Sequence, residues 1–526
     1  MNNSFLVNIH NCISRKSYKN NNLVLIFIIY LISNIFFLLN DFLFWDDWVW
    51  TGNKFKEYFQ YSRMLGNLNI RGIFFSIIYI MPPNVSRLII LLVFYLTVIF
   101  LYKILEKSKI ENKYVFSSSL IFSLLPIVII KYSLSISLYF LSLLEFVIAS
   151  YLFICQKKNK AFLFLSLILF FLSFQMSSLL FFYAVIFIYS FYIENNTNKL
   201  SLMSIFVFFK KNLLHTIIPF LFFAIKILFY NPLGIYGTQG YNSISLANVK
   251  IIPKSIIRSA LDLFSFLFSL NGSWLFLFIF ISVFFIVTIF SMINSKKNNH
   301  LLVILFCFVM LFFALVPYAL VGKIGDTKTI IESRHYFLTL FPITFLIVVM
   351  GDYVFSKKKE IFILFIIMLI YKNLDIGYKF YQDKLIGQSF IENIKGDTYI
   401  EKNEVFVLSI DEVDKGYFTN QINDYILFGY FWKAFGTENH IGYNTNISDE
   451  SNMILYYDNK NELPYKIKNV TSIDPTYVLH LHVNEEKLTF ANSIKIMFYT
   501  LINKEKYITS LKEITSIKTS TINYSD

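Results

Sequence analysis

Two adjacent carboxylates, Asp46 and Asp47, lie in an aromatic stretch that runs from Trp45 to Trp50 and follows an apolar run. Burial among aromatic rings raises the pKa of a carboxyl group, and a neighbouring carboxylate raises that of one member further. Such a pair suits a general base, or ligands of a divalent cation such as Mg²⁺ or Mn²⁺. An interfacial aromatic belt accounts for the tryptophans but not for the two acids. On the residues alone both interpretations stay open.

Two arginines further along, Arg63 and Arg71, flank a Gly-Asn-Leu-Asn sequence. A planar guanidinium binds phosphate through two parallel hydrogen bonds, so each arginine is a candidate contact for a phosphate or for an acceptor. The alternative for each is a solvated loop position or a contact with lipid headgroups.

Further ionisable residues lie at the ends of apolar runs or within them. Arg334 and His335 begin a late run, where a cation opposes the helix macrodipole, so a nearby anion such as phosphate would explain them. Headgroup snorkelling by Arg334 is the alternative. Lys226 lies about one turn from the end of its run, where it could meet the same phosphate. Glu145 lies deeper, and a structural ion pair and a functional role are both open for it.

The composition indicates which class of protein must hold these side chains. Of the 526 residues, 56% are hydrophobic and 15% are charged, against about 45–50% and about 25% in soluble domains. With 61 Phe, 17 Gly and 3 Cys, the chain is not a soluble globule, a disordered chain, a collagen or a disulfide scaffold. The sequence predicts a polytopic α-helical membrane protein.

The hydrophobic runs predict about eleven transmembrane helices, since a spanning helix needs roughly 20 mostly apolar residues. We expect the first run to be retained as a span, because no small-residue cleavage site follows it. The predicted spans are 23–39, 84–102, 114–130, 133–155, 161–174, 176–193, 213–230, 273–293, 300–320, 336–354 and 360–372.

The charge distribution orients these spans. Residues 1–372 carry 32 Lys and Arg against 13 Asp and Glu, whereas residues 373–526 carry 15 against 21. Because the basic residues cluster in alternate short loops, the positive-inside rule places the N-terminus in the cytoplasm and the long loop 40–83 outside it. With an odd number of spans, the C-terminus is also outside. Clusters between apolar runs differ from the basic face of a nucleic-acid-binding domain, so we expect no nucleic-acid partner.

The tail of residues 373–526 is predicted to form a soluble extracytoplasmic α/β domain after the transmembrane domain. Amphipathic patterns predict helices over 381–394 and 426–435, and strand-like patterns predict strands over 404–410 and 477–483. About 150 residues are enough for an independent hydrophobic core.

In combination, these features resemble the GT-C superfamily of membrane glycosyltransferases. The resemblance rests on the Asp46-Asp47 pair after the first span, on Arg334-His335 at a late span with Pro342 eight residues after Arg334, and on the soluble tail. Within that superfamily the sequence resembles the bacterial membrane glucosyltransferases that decorate surface polysaccharide, and more distantly the protein mannosyltransferases and lipid A aminoarabinose transferases. It departs from the mannosyltransferases, which usually carry Asp-Glu or Glu-Asp in this loop. The tail also lacks the Trp-Trp-Asp motif of oligosaccharyltransferases.

The resemblance implies that a sugar moves from a polyprenyl-phosphate carrier to an extracytoplasmic acceptor, which would be lipopolysaccharide, another cell-surface glycan, a lipid or a protein. It implies that Asp46 or Asp47 takes the proton of the acceptor hydroxyl, and that the other positions the acceptor or binds a divalent cation. Arg334, helped by His335 and Lys226, would hold the carrier phosphate. Direct displacement would invert the anomeric centre. The expected location is the lipid bilayer of a bacterial cytoplasmic membrane.

Two other functions stay open. An O-antigen-type polymerase or ligase also uses polyprenyl-linked sugars, but typically works through Arg and His in large outer loops. A transporter or flippase for lipid or polysaccharide would be non-enzymatic. Transporters tend to have inverted repeats and broken spans with midplane charges, whereas this sequence shows no repeat and only two midspan charges, Glu145 and Lys226.

Overall fold

The computed structural model describes most of the chain on either side of a central gap. Described are residues 21–230, apart from 52–53, 109, 128, 156–158 and 196–200, and residues 299–521, apart from 324, 326–329, 358, 403–404, 411–421, 423, 437–440 and 445–476. Between them, the described residues are 232, 248, 250, 252–254, 256–258, 261–262 and 266. The predicted span 273–293 lies outside the described residues.

The described chain is mostly helical, and local signals set several helix ends. Pro83 begins α6, where its missing N–H has no intrahelical partner to lose, and the Asn159 side chain caps α9. In chain order the helices are α1 (Asn21–Ser33), α2 (Ile35–Leu38), α3 (Asp47–Trp50), α4 (Phe55–Met64), α5 (Ile70–Ile80), α6 (Pro83–Lys107), α7 (Asn112–Leu124), α8 (Ser137–Cys155), α9 (Lys160–Ser173), α10 (Ser177–Asn195), α11 (Leu202–Lys211), α12 (Leu213–Phe229), α13 (Asn299–Leu320), α14 (Ile330–Ser333), α15 (Leu340–Lys357), α16 (Lys359–Ile394), α17 (Thr398–Lys402), α18 (Asp424–Phe435), α19 (Phe490–Ile502) and α20 (Lys504–Lys512).

Six helices are long and apolar enough to cross a membrane in the described parts of the chain, and a pair bent by 70° raises the number to seven. The chain is therefore a helical membrane protein. The six are Pro83–Lys107, Leu134–Cys155, Ser177–Glu194, Leu302–Leu320, Arg334–Gly351 and Glu360–Ile394, and the bent pair is Leu202–Lys211 with Leu213–Phe229.

These helices correspond to seven of the eleven predicted spans, so the number eleven is not confirmed. The predicted spans 23–39 and 161–174 contain shorter apolar helices. The predicted span 114–130 contains a 13-residue helix, Asn112–Leu124, that ends before a turn. At about 1.5 Å per residue, such a helix rises about 20 Å, which is less than the roughly 30 Å hydrocarbon core. Hydrophobicity alone therefore overestimated the length of this helix.

The predicted outer loop 40–83 is not extended, because α3, α4 and α5 fold it against the membrane helices. Arg87 of α6 anchors its beginning. This side chain is fully buried, and its guanidinium donates to the backbone carbonyls of Asn40, Phe42 and Tyr132. These bonds fix the backbone that leads from the first apolar run into the acidic pair.

One helix, α16, runs unbroken from the last span into the C-terminal region, which we define as residues 373–526. It is 36 residues long. Its first part exposes apolar side chains such as Leu364 and Ile367, whereas Leu385 and Phe390 in its second part are buried. The boundary predicted between residues 372 and 373 therefore falls inside a continuous helix rather than at a linker.

The C-terminal region contains a four-stranded sheet of order β2-β1-β3-β4 among its described residues. β1 (Val405–Ile410) pairs in parallel with β2 (Ile441–Asn444) and with β3 (Tyr477–Val483). β3 pairs antiparallel with β4 (Thr515–Thr521). The predicted strands coincide with β1 and β3, while an independently folding extracytoplasmic domain stays a prediction.

Candidate functional site

The two carboxylates of the acidic turn occupy different environments. Asp46 precedes α3 and is half-buried, whereas Asp47 begins α3 and is fully buried. Trp45, just before them, has a positive φ of 52°, which costs a non-glycine residue conformational energy. The turn therefore leaves Asp46 partly accessible and directs Asp47 into the protein.

Four hydrogen-bond donors hold Asp47. They are the Ser133 hydroxyl at 3.0 Å, the Ser135 amide at 2.9 Å and the Tyr79 hydroxyl at 3.2 Å, all on Oδ1, and the Phe44 amide at 3.2 Å on Oδ2. Burial raises the pKa of Asp47, while backbone amides and the charge of Arg87 act in the opposite direction. A carboxylate bonded in this way is suited to fixing the turn.

The surroundings of the acidic pair do not fit the predicted Mg²⁺ or Mn²⁺. Both oxygens of Asp47 already accept hydrogen bonds, whereas a hard cation needs several oxygen ligands of its own. Among the residues that the structure describes, no group of three or more His, Cys, Asp or Glu could hold a metal ion. The geometry of Asp46 and Asp47 thus provides no basis for a metal-dependent step.

Arg334 and His335 begin a 3-10 helix, Arg334–Thr339, that leads into α15. The Nδ1 atom of His335 lies 3.0 Å from Oε2 of Glu332, and its Nε2 lies 3.4 Å from Nε of Arg334. Arg334 has only donors, so Nε2 accepts and Nδ1 carries the hydrogen of a neutral imidazole. His335 is buried and Arg334 is half-buried, so the histidine orients the more accessible guanidinium.

Lys323, which the sequence analysis did not single out, interacts with Arg334 and Glu332. Burial, together with the charge of Arg334, lowers the pKa of Lys323 to about 8, and Glu332 opposes that shift. Burial acts to raise the pKa of Glu332, but the hydrogen bond from His335 and the charges of Arg334 and Lys323 lower it overall. We call these four residues the cationic group. The group contains two cations, Arg334 and Lys323, and one acid, Glu332. This excess of positive charge favours an anionic ligand.

Lys226 is linked to the cationic group through the start of α10. Its Nζ donates to the Ser177 hydroxyl at 3.1 Å. The hydroxyl of the next residue, Ser178, accepts from the Tyr318 hydroxyl at 3.0 Å, and the Tyr318 ring lies 4.6 Å from the His335 ring. The predicted phosphate contacts Lys226, Arg334 and His335 therefore border one region.

Arg63 lies beside Tyr230, one helical turn after Lys226. Its guanidinium carbon is 5.2 Å from the centre of the Tyr230 ring, and its Nη1 is buried without a hydrogen-bond partner. Gly66 has a φ of +70°, and a Cβ there would lie 2.6 Å from the Tyr230 carbonyl oxygen, so this approach requires glycine. The Tyr230 amide donates to the Lys226 carbonyl. The unpartnered Nη1 of Arg63 is compatible with the predicted anion contact, which stays a prediction.

Arg71 has a different environment from the one predicted. It is buried, and its Nη1 and Nη2 lie 3.0 and 2.5 Å from the two oxygens of Glu145. Nη2 also donates to the Leu172 carbonyl. This bidentate pair and the bond to Leu172 join α5 to α8 and α9. Of the two roles open for Glu145, the structural ion pair is therefore the one observed. The predicted phosphate or acceptor contact of Arg71 has no support in this geometry.

The acidic turn and the cationic group border the same short segment, residues 129–136. Its second half supplies Ser133 and Ser135 to Asp47. Its first half, the 3-10 helix Ile129–Tyr132, contacts α14, which immediately precedes Arg334. Carboxylates and cations that are far apart in sequence therefore border one short segment.

A cleft separates the first loop from the C-terminal region. Trp48 and Tyr79 line it on one side, and Gln388, Lys433 and Tyr507 line it on the other. Trp48 is buried, and its indole Nε1 has no hydrogen-bond partner. Because the Tyr79 hydroxyl also bonds Asp47, this cleft reaches the back of the acidic turn.

The sequence analysis missed three cations that the structure places near the site. Arg87 holds the backbone before the acidic turn, and Lys323 lies in the cationic group. Lys131 is buried and donates to the side chains of Asn34 and Asn373. Each lies at the edge of an apolar run, where a charge is costly and therefore informative. That position is the signal that would have found them.

No protein-family model, no curated protein and no solved structure matches the chain. The functional argument therefore depends on the geometry of the site and on the pattern of the sequence.

Proposed function

We propose that the chain is a GT-C-type glycosyltransferase that moves a sugar from a polyprenyl-phosphate donor to an extracytoplasmic acceptor. The observation that supports this best is the shared border at residues 129–136. An acidic turn and a cationic group meet there at the ends of apolar helices. A base for the acceptor and a counter-charge for the leaving phosphate are what such a transfer needs.

Asp46 is the proposed general base. It is partly accessible, whereas Asp47 is buried and bonded by four donors, so Asp47 serves as the residue that positions the turn. The acceptor hydroxyl gives its proton to Asp46 as its oxygen attacks the anomeric carbon of the sugar. The bond from that carbon to the phosphate oxygen breaks in the same step, which inverts the anomeric configuration.

Arg334 and Lys323 are the proposed contacts of the carrier phosphate, and Lys226 and Arg63 border the same region. Their positive charges stabilise the negative charge that develops on the leaving phosphate. His335, a neutral imidazole between Glu332 and Arg334, holds the guanidinium in place. The chain itself supplies all of these groups.

The cleft between the first loop and the C-terminal region is the proposed path of the acceptor. It offers the aromatic faces of Trp48 and Tyr507 with polar groups from Gln388 and Lys433. Pockets that combine apolar walls with a few polar groups are the usual binding sites for small molecules. Its contact with Asp47 through Tyr79 would bring the acceptor to the turn that carries Asp46.

The direct test measures the release of polyprenyl phosphate by purified protein. A panel of polyprenyl-phosphate sugars serves as donor, and a cell-envelope extract serves as acceptor. We expect release with at least one donor, and a loss of about 10²-fold or more in Arg334→Ala. Lys107→Ala, an exposed cation at the far end of α6, is the matched control and should release as wild type. Absence of release with every donor would reject the transferase and favour transport.

A further inference from the structure

Helix α19 of the C-terminal region carries an exposed apolar stripe. The exposed fractions are 59% for Phe490, 55% for Phe498, 80% for Leu501 and 75% for Ile502. The first three follow at spacings of eight and three residues, which places them on one helix face, with Ile502 beside them. The buried residues Ser493 and Ile496 lie on another face. Exposure of this apolar stripe to water is unfavourable in free energy.

The beginning of α19 packs on two apolar segments of the membrane part. The Phe490 ring lies 5.4 Å from the Tyr378 ring of α16 and 6.4 Å from the Phe36 ring of α2. The Tyr378 hydroxyl is also 3.1 Å from the Ser493 hydroxyl. The helix therefore starts against the membrane helices rather than away from them.

The depth of this contact follows from the length of α16. Tyr378 is eighteen residues beyond Glu360, which follows the cluster of lysines at 357–359. At about 1.5 Å per residue this is about 27 Å, close to the roughly 30 Å hydrocarbon core of a bilayer. Asp375 and Lys379, an ion pair at 3.7 Å, lie at the same level. Tyr378 thus lies at the hydrocarbon–headgroup boundary.

The contact also lies on the lipid side of α16. Leu364, Ile367 and Tyr371 are exposed on the membrane part of this helix. They precede Tyr378 by fourteen, eleven and seven residues, which are spacings that keep all four on one helix face. Because α16 is continuous, α19 packs directly over the stripe that faces lipid. A bilayer would therefore continue beneath α19.

We propose that α19 lies in the membrane surface, with its exposed stripe inserted at the boundary between headgroups and acyl chains. Lys495 on the helix, and Lys504 and Lys506 just after it, are exposed cations that would contact anionic headgroups. The docked helix holds the C-terminal region against the bilayer. This inference does not depend on any enzymatic activity.

The test places single fluorophores on the full-length protein, at one copy per phospholipid nanodisc that contains phosphatidylglycerol. Cys12, Cys155 and Cys307 are first replaced by Ala. Leu501→Cys and Ile502→Cys report on the stripe, Lys518→Cys on exposed strand β4 is the aqueous control, and Leu364→Cys on α16 is the lipid control. Each labelled protein is quenched separately by aqueous iodide and by lipids with a nitroxide near the headgroup.

We expect the labels at residues 501 and 502 to be quenched by the nitroxide lipids, and to be several-fold less sensitive to iodide than the label at residue 518. Iodide quenching equal to that at residue 518, without quenching by lipid, would overturn the proposal. Each nanodisc holds a single copy. A stripe that is normally covered by a second copy of the chain would therefore stay exposed to iodide and would give this same overturning result. Far-ultraviolet circular dichroism of each variant confirms that the helices are retained.

Discussion

At the scale of single residues, the neighbours of a carboxylate decide what it can do. Asp46 and Asp47 have the same side chain and adjacent positions, yet Asp47 is fully buried among hydroxyl and amide donors, whereas Asp46 is half-buried. A fully bonded carboxylate resists rearrangement, because each lost partner leaves a buried polar group unpaired. Asp46 is the more accessible of the two carboxylates. The proposed division of labour follows from this difference.

Exchange of each aspartate for asparagine separates these roles. We expect Asp46→Asn to lower the release of polyprenyl phosphate by about 10²-fold or more with an unchanged melting temperature, because it removes the base. Asp47→Asn should instead lower the free energy of unfolding by about 1–3 kcal/mol, because its amide places a donor against donors. Release assays and thermal unfolding of both variants check this. Wild-type release by Asp46→Asn would disprove its role.

The pH dependence of donor binding reports on Lys323. Burial and Arg334 lower its pKa to about 8, so the lysine is charged below that pH and loses its charge as the pH rises through it. We expect the KM for the donor to increase above about pH 8 in the wild type. Lys323→Arg keeps its charge at those pH values and should abolish the increase. Identical pH profiles for the two proteins would exclude Lys323 from the donor site.

At the scale of elements, short segments between the helices position the chemistry. Residues 129–136 contact both the acidic turn and α14. Gly325 lies against Tyr336, whose hydroxyl donates to the Gly325 carbonyl at 2.7 Å, and a Cβ on Gly325 would lie 2.4 Å from the ring. These contacts hold Gly325 against the 3-10 helix that begins at Arg334.

The Arg71–Glu145 pair is an element-scale contact, because it joins α5 to α8. We expect Arg71→Met alone to lower the free energy of unfolding by about 3–5 kcal/mol, since Glu145 is left as an uncompensated buried charge. The double variant Arg71→Met, Glu145→Met should recover most of this loss. Thermal unfolding in detergent measures both. If the stable double variant had lost polyprenyl phosphate release, Arg71 would be a substrate contact after all.

At the scale of the whole molecule, one continuous helix connects the membrane part to the sheet. α16 exposes apolar side chains in its first half and packs against α18, α20 and β4 in its second. Lys384 on α16 pairs with Asp41 at 2.6 Å, and Asn40 donates to the Phe380 carbonyl at 3.0 Å. The first loop and the C-terminal region are therefore bound to the same helix, and the cleft between them has defined walls.

The predicted membrane orientation has a whole-molecule test. In a variant with Cys12, Cys155 and Cys307 replaced by Ala, we place a single cysteine at Lys433 or at Lys107, both exposed positions. The positive-inside rule predicts that a membrane-impermeant maleimide labels the first in intact cells, and the second only after permeabilisation. The reverse labelling pattern would place the proposed site on the cytoplasmic side and reject an extracytoplasmic acceptor.

The sequence by itself determined the class of the protein, most of its long apolar helices, two strands of the sheet and the residues on both sides of the candidate site. These properties depend on local composition and periodicity, which the chain displays directly. Only the tertiary structure separated Asp46 from Asp47, paired Arg71 with Glu145, added Lys323 to the cationic group and made α16 continuous across the predicted domain boundary. Such features depend on contacts between distant residues, as between Arg71 and Glu145, which lie 74 residues apart. Local patterns carry no record of them, because a buried charge is stabilised by whichever partner the fold brings within a few ångströms.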